Sequence, residues 1–291
     1  ANILGERSCH RRLVALEEGE LLNRYWDDDA SPRQEMYTTD LELVRKSFRD
    51  ETRMYQHIRA ACESGWDFSA RWFDDANDLS TIKASSVVPV DLNCLLYHLE
   101  TTIANAYASM EENDTSLMYG NLADQRKTNI TNAFWVEERG FFFDYLMHKE
   151  KQSNVYSLAG CFPLFFKISD TDQANKVAQV IGDQFHKPGG LISTTLHSGQ
   201  QWDAPNGWAP LQYMTVMGLL NYGHNDLAKE IAQRWTSLNE SVFKSTGKMM
   251  EKYNVEDLDL DAGGGEYPVQ DGFGWSNGVY LALNKVLSSL K

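Results

Sequence analysis

Apolar residues recur every three or four positions along most of this chain, which is typical of helices that pack on one side. The same spacing predicts helices over residues 39–51, 53–61, 92–110, 116–134, 156–167, 172–185, 211–221, 226–244 and 279–290. In the helix over 92–110 we expect a core face made of Leu95, Leu96, Leu99, Ile103 and Tyr107. Strand signals are few, apart from a turn or hairpin predicted at 137–145. The pattern therefore predicts an all-α protein.

Local signals predict where some of these helices begin and end. The helix over 53–61 should stop near Gly65, because glycine adopts the backbone conformation that reverses the chain. The helix over 92–110 should begin after Asp91, whose side chain can cap it. The apolar side of the helix over 39–51 is marked by Leu41, Leu43, Val44 and Phe48. Paired helices joined by short and long turns predict a toroid of helical hairpins, whose connecting loops gather at the concave end.

Composition narrows the possible partners. The chain has 291 residues, enough for one large domain or two small ones, and 42% of them are apolar. A net charge of −14 argues against nucleic acid and anionic membrane surfaces. No apolar run approaches the ~18 residues of a membrane span. The first residues lack the order of a signal peptide, which says little about compartment, and periplasm, cytoplasm and secretion all stay open.

Cysteine and histidine spacing predicts no metal site. The four cysteines, Cys9, Cys62, Cys94 and Cys161, lack CxxC spacing, which argues against a zinc site and against a disulfide framework. Cys94 and Cys161 have apolar neighbours, and we expect both to be small core residues. The seven histidines show no HExxH spacing.

The segment 200–210 is the most distinctive stretch of the chain. It combines two indoles, a carboxylate, amides, two prolines and an Asn-Gly step. The prolines and the Asn-Gly step do not suit the inside of a helix or a central strand, which predicts a stiff loop. Sugars bind where aromatic faces lie beside fixed polar groups, and Trp202 offers such a face. The alternative is a buried loop whose tryptophans only fill the core.

Two other segments place charged side chains in predicted loops. After Pro32, Arg33 and Glu35 offer a donor fork and an acceptor, either to a ligand or to each other as a solvated salt bridge. Asp67 lies between two aromatic residues just after a helix end. Such a setting would raise the carboxyl pKa, as a general acid requires near neutral pH. The alternative is an ion pair of Asp67 with Arg71, which would lower that pKa.

The C-terminal part contains two more candidate carboxylates. Glu251 stands beside Lys252, and such neighbours usually form a surface ion pair. Further along, three glycines precede Glu266 and permit close approach of the backbone to a ligand. No GKS or GKT follows, so this is not a phosphate loop. The alternative is a surface tether, which the many aromatic residues of 263–278 disfavour.

Four segments of the chain resemble the trehalases of glycoside hydrolase family 37. Residues 201–210 match the family signature Gln-Trp-Asp-x-Pro-x-Gly-Trp-x-Pro at every fixed position. The other matches, in the order of the family, are Asn23-Arg24-Tyr25-Trp26-Asp27-Asp28 with Pro32-Arg33-x-Glu35, then Ser64-Gly65-Trp66-Asp67-x-Ser69-x-Arg71-Trp72, and Glu251-Lys252-Tyr253 with 263–279. The resemblance implies an (α/α)6 barrel, which needs twelve helices, whereas about nine are predicted here.

The resemblance also implies an activity and its residues. It implies an inverting α,α-trehalase that hydrolyses the disaccharide trehalose to two glucose molecules without a cofactor. Asp67 takes the position of the catalytic acid, and Glu251 takes that of the base. The implied substrate-binding positions are Arg33, Gln34, Glu35, the backbone of Gly65, Trp202 and Glu266.

One departure from the family is large. The upstream signature Pro-Gly-Gly-Arg-Phe-x-Glu-x-Tyr-x-Trp-Asp is absent from residues 1–291. The chain therefore resembles the C-terminal half to two-thirds of a trehalase, a single toroid domain without its N-terminal helices. We expect either a fragment or a barrel that a second chain completes. Two other functions stay open: a non-catalytic protein that binds sugar or a partner chain and exposes an apolar flank, and another α-glucoside hydrolase of this fold.

Overall fold

The structure is a computed structural model that describes residues 11–16, 19–263 and 268–290. Its α-helices are α1 (Tyr37–Ser47), α2 (Glu51–Glu63), α3 (Val90–Ser109), α4 (Asn113–Phe134), α5 (Phe162–Phe165), α6 (Thr171–Val180), α7 (Ala209–Asn221), α8 (Asn225–Thr246) and α9 (Gly274–Ser289). Its strands are β1 (Leu13–Ala15), β2 (Leu21–Asn23), β3 (Val87–Val88), β4 (Trp135–Val136), β5 (Phe141–Phe142), β6 (Tyr145–Leu146), β7 (Lys151–Gln152), β8 (His186–Lys187), β9 (Gly190–Leu191), β10 (Asn206–Trp208) and β11 (Lys252–Asn254).

The helices pack as hairpins, as predicted. α3 and α4 contact each other along their length, and α7 lies against α5, α8 and α9. One cluster of buried apolar side chains extends from Val14 to Leu283. That the chain forms a single domain stays a prediction.

The strands have two or three residues each; β1 and β2 precede α1, and the others lie in the connections between helices. Among residues 11–16, 19–263 and 268–290, all the strand pairings are antiparallel, and the widest sheet consists of β3, β6 and β7. β4 and β5 form the hairpin predicted at 137–145. The β3–β6 and β10–β11 pairs join segments from different connections, whereas β1–β2, β4–β5 and β8–β9 are local hairpins.

Some predicted helix boundaries are wrong. Instead of a helix over 156–167, the chain forms a 3-10 turn (Leu158–Cys161) followed by the single turn of α5. Pro163, at the start of α5, has no N–H to continue hydrogen bonding from the preceding turn. Asp91 does not cap α3, because the helix already begins at Val90 and Asp91 lies in its first turn.

Two predicted core faces are also wrong in part. Phe48 is 97% exposed, because it lies past the end of α1 with φ of +53° and its side chain leaves the apolar side. Leu95 and Leu99 are 42% and 51% exposed. The inward side of α3 instead carries Asp91 and Asn93, both buried and hydrogen-bonded to other segments.

Three general features of the described residues bear on function. None of their helices is long and apolar enough to cross a membrane. No group of three or more His, Cys, Asp or Glu side chains among them could hold a metal ion. Cys94 and Cys161 are buried free thiols, as predicted, and burial raises the pKa of Cys161 to about 12. Such a thiol is unreactive at neutral pH.

Candidate active site

Two paired strands bring the loop 200–210 against the segment that carries Glu251. β10 forms within the segment 200–210, where a loop was predicted, and α7 begins at Ala209, so the loop prediction is wrong beyond residue 205. β10 pairs antiparallel with β11, so that Trp208 lies opposite Lys252. Gly207 stands in the middle of β10, where an added Cβ would lie 2.6 Å from Val255 Cγ1 and 2.7 Å from a backbone carbonyl oxygen. The close approach of these backbones therefore requires glycine at this position.

Asp203 fastens the same loop to two other segments. Its carboxylate is fully buried and accepts hydrogen bonds from Ser69 Oγ, the Ala70 N–H and Thr194 Oγ1, each at 2.7 Å, and from Ser198 Oγ. Burial raises the pKa of Asp203, although the four hydrogen bonds oppose the rise. Because its carboxylate is used in this way, Asp203 acts as a structural tie between loops.

Asp67 lies in the connection that follows α2. Gly65 turns the chain there with φ of +76°, as predicted. The next residues are bound to the loop 200–210: Gln201 Nε2 donates to the Asp67 carbonyl oxygen at 2.5 Å, and the Trp202 N–H donates to the Phe68 carbonyl oxygen at 3.1 Å. The half-buried Asp67 is therefore held at this loop through its backbone.

Arg71 does not form the ion pair with Asp67 that was the alternative to a catalytic role for Asp67. Among the described residues, its partners are Asp91, at 2.8 Å, and Asp144, at 2.6 Å, rather than Asp67. All three members of this ionic cluster are buried. The guanidinium also lies 4.8 Å from the ring of Trp66, the residue before Asp67. The alternative that pairs Asp67 with Arg71 is therefore wrong.

Glu251 is a buried carboxylate, 3% exposed, and its neighbour Lys252 is 1% exposed. Lys252 Nζ lies 2.8 Å from Glu251 Oε2 and donates to Gln201 Oε1 at 3.1 Å. The backbone of Glu251 is fixed as well, since its N–H donates to the Gln270 carbonyl and its own carbonyl accepts from Trp275 Nε1. The prediction of a surface ion pair is therefore wrong, because both side chains are buried.

Tryptophans form the aromatic wall of the site. Trp202 stacks on Trp208 with ring centroids 3.8 Å apart and planes within 2°, and on Trp66 with centroids 5.2 Å apart. Trp275 approaches Trp202 edge-on at 6.5 Å. Trp202 is 7% exposed, so protein atoms cover most of its ring. Most of the Trp202 ring therefore packs in the core, as the alternative predicted. Only the exposed margin of the ring is accessible to a ligand.

Arg33 lies beside the Asp67 segment, whereas its two neighbours lie at the surface. It is 5% exposed, pairs with Asp40 at 2.6 Å, and places its guanidinium 5.2 Å from the Phe68 ring. The ion pair of Arg33 is thus buried and is not the solvated salt bridge expected as the alternative. Gln34 and Glu35 are exposed.

The glycine-rich segment is attached to the site on both sides. Gly263 accepts a hydrogen bond from Asn206 Nδ2 at 2.6 Å, and Gln270 accepts one from the Glu251 N–H at 2.9 Å. Glu266, predicted to bind substrate, lies outside the described residues.

Sequence reasoning missed three residues that build this cluster: Gln201, Asp203 and Lys252. A signal existed for the first two, because they are fixed positions of the same signature as Trp202. Lys252 also carried a signal, because it is the middle residue of the matched Glu251-Lys252-Tyr253 segment, but a lysine beside a glutamate is usually solvated.

A family model described as Trehalase matches residues 6–288. The chain belongs to the trehalase family. The periplasmic trehalase of Salmonella agona is 43% identical over 275 residues, covering 94% of this chain and 48% of that protein. The periplasmic trehalase of Citrobacter koseri is 42% identical with the same coverage. The chain thus spans about half the length of the curated relatives it matches.

Solved structures show the fold of this trehalase-family chain. Neutral trehalase Nth1 from Saccharomyces cerevisiae matches with a TM-score of 0.75 and 24% identity, covering 95% of this chain and 56% of that chain. The GH63 mannosylglycerate hydrolase from Thermus thermophilus, in complex with glucose, matches with a TM-score of 0.57 and 20% identity, covering 86% and 58%. The predicted all-α toroid of the (α/α)6 type is confirmed.

Proposed function

We propose that this chain carries the hydrolytic site of an inverting α,α-trehalase. Asp67 donates its proton to the oxygen that bridges the two glucose units, and the bond from that oxygen to one anomeric carbon breaks. Glu251 takes a proton from a water molecule, which attacks that carbon from the opposite face. The products are two glucose molecules, and two carboxyl groups with one water suffice for this chemistry.

The observation that supports this proposal is the attachment of both carboxylate segments to one residue. Gln201 donates to the carbonyl oxygen of Asp67 and accepts from Lys252, which is paired with Glu251. Residues far apart in the sequence are thereby held at the same cluster of loops. Inverting glycosidases need their two carboxyl groups roughly 6.5–9.5 Å apart, with room for a water between them.

The neighbouring groups suit a neutral sugar. Arg33, beside Phe68, supplies guanidinium donors, and the margin of Trp202 supplies apolar surface. The remaining proposed contacts to substrate are Gln34, Glu35, the backbone of Gly65, and Glu266.

The test is glucose release from α,α-trehalose by the wild type and by Asp67→Asn and Glu251→Gln. Each change should lower kcat about 100-fold or more, because general acid and base catalysis contribute that much. Matched controls are Asp124→Asn on α4 and Glu42→Gln on α1, both exposed, which should keep wild-type rates. Either active-site variant retaining full kcat would refute the assigned roles.

A second candidate is a chain that binds sugar without turnover. This candidate is favoured because the chain covers only 48% of the length of the Salmonella agona protein. Titration calorimetry with trehalose distinguishes the two, since binding without glucose release supports this candidate. Competition between trehalose and other α-glucosides tests the remaining possibility, a different hydrolase of the same fold.

The same relatives support a proposal about compartment. Because the proteins from Salmonella agona and Citrobacter koseri are periplasmic trehalases, we infer that this chain acts outside the cytoplasm. Fractionation of the source cells, with a cytosolic enzyme as marker, tests this; recovery with that marker would contradict it.

A further inference from the structure

The side chain of Lys252 is completely buried beside a carboxylate that is itself 4% exposed. In the part of the chain that the structure describes, its ammonium donates to Glu251 Oε2 at 2.8 Å and to Gln201 Oε1 at 3.1 Å. It also lies 5.2 Å from the ring centroid of Trp208. A lysine normally keeps its ammonium in water, so this placement requires a reason.

Stability alone is a poor reason. Taking an ammonium and a carboxylate out of water has a large cost, and their attraction often does no more than offset it. Buried ion pairs can be replaced by well-packed apolar residues of similar size with little loss, or with a gain, of stability. The reason for Lys252 is better sought in what its contacts do at the site.

Those contacts fix the orientation of the Gln201 amide. Its oxygen faces the ammonium of Lys252, and its NH2 group donates to the Asp67 carbonyl at 2.5 Å. A flipped amide would place donor against donor at Lys252 and acceptor against acceptor at Asp67. The backbone of Gln201 is held too, because its carbonyl accepts from Trp208 Nε1 at 2.8 Å.

Neighbouring residues in a strand normally point to opposite faces. Here Glu251 lies just before β11 and Lys252 is its first residue, and their charged ends nevertheless meet. The chain bends at this point, where the Glu251 N–H is bound to the Gln270 carbonyl. The bend in the backbone at Glu251 therefore brings the two charged groups together in the site.

We propose that Lys252 and Gln201 are positioning residues that set the location of the Glu251 carboxylate relative to Asp67. Lys252 holds one carboxylate oxygen, and Gln201 transmits that position to the backbone of the acid. This inference rests on the proposed function, in which Glu251 is the base and Asp67 the acid.

The test compares Lys252→Met, Lys252→Arg and Gln201→Leu with the wild type, using the full-length protein and α,α-trehalose. We expect Lys252→Met to lower kcat about 100-fold with KM within about 3-fold, because alignment of the base matters in the transition state. Lys252→Arg should recover part of kcat. The double variant of Lys252→Met and Gln201→Leu should lose little more than either single variant, since both act through one contact.

Two readouts separate positioning from a purely structural role. Thermal unfolding of Lys252→Met should occur below the wild-type midpoint, because the buried Glu251 carboxylate loses this cation. The loss of kcat should persist at assay temperatures well below that midpoint, where the variant is folded. In Lys252→Ala, added propylammonium should restore part of kcat, whereas propanol, its uncharged counterpart of similar size, should not. A matched control is Lys229→Met on α8, which is exposed and should behave as wild type.

Parallel assays of Asp67→Asn and Glu251→Gln distinguish the two possible failures. If both lose activity while Lys252→Met keeps wild-type kcat, the positioning role is overturned and the proposed function stands. If either keeps full activity, or the wild type releases no glucose, the proposed function fails and this inference fails with it.

Discussion

Replacing the buried carboxylate of Asp203 should show how far one side chain holds the site loops together. Asp203→Leu removes the acceptor shared by the Ala70 N–H and by three hydroxyl groups, those of Ser69, Thr194 and Ser198. Asp203→Asn keeps the shape and one acceptor oxygen but removes the charge.

The magnitude follows from which donors can adapt. Hydroxyl groups can rotate toward another acceptor, whereas the Ala70 N–H cannot, and an unsatisfied buried donor costs about 1–3 kcal/mol. Hydrogen bonds to a charged group contribute about 1.5–3 kcal/mol each, partly offset because the carboxylate no longer has to be buried. We therefore expect Asp203→Leu to lower the free energy of unfolding by about 4 kcal/mol. Asp203→Asn should cost about 1–2 kcal/mol, with its oxygen toward Ala70 and its NH2 toward the rotatable hydroxyls.

Urea unfolding followed by tryptophan fluorescence measures both changes, because two indoles lie in this loop and two more, Trp66 and Trp275, contact it. Asp124→Asn, an exposed change on α4, should stay within about 0.5 kcal/mol of wild type. If Asp203→Leu unfolds within about 1 kcal/mol of wild type, or if Asp203→Asn is as harmful as Asp203→Leu, the Asp203 carboxylate does not hold these loops together.

Three further predictions concern the same loops and the core. Gly207→Ala should destabilise by about 1–3 kcal/mol, since its Cβ would collide with Val255 and a backbone oxygen, whereas Gly120→Ala in α4, which meets nothing within 4 Å, should be neutral or stabilising in the same denaturation assay. Arg71→Met should cost about 3–5 kcal/mol by leaving two buried aspartates unpaired; an unchanged unfolding midpoint would contradict this. Burial, followed by nearby arginines, lowers the pKa of His57 to about 3, below its unfolded value, so its contribution to stability is complete above about pH 6.5 and is lost as pH falls toward 3. Between pH 7 and 5 the wild type should therefore lose about 2 kcal/mol more than His57→Gln, and equal losses in the two proteins would rule this out.

Long helices with strong periodicity were predictable from local sequence. The predicted helices over 116–134 and 226–244 correspond to α4 and α8, with ends displaced by no more than three residues. Helix faces were less predictable, because periodicity identifies an apolar stripe without saying which neighbour covers it. On α3 the inward side was decided by Asp91, which is drawn to the buried Arg71, and Leu95 is left exposed.

The sequence by itself determined the helical class, the loops that hold aromatic and charged groups, and, through the spacing of four segments, the resemblance to trehalases. These features depend on residue order over short stretches, which local propensity and motif spacing report directly. Only the tertiary structure decided which groups meet: the buried pair of Glu251 and Lys252, the amide of Gln201 that links it to Asp67, and the tie made by Asp203. Apart from the pair of neighbours Glu251 and Lys252, these contacts join residues far apart along the chain. The strength of all of them comes from burial, a property that a side chain acquires only after the chain has folded.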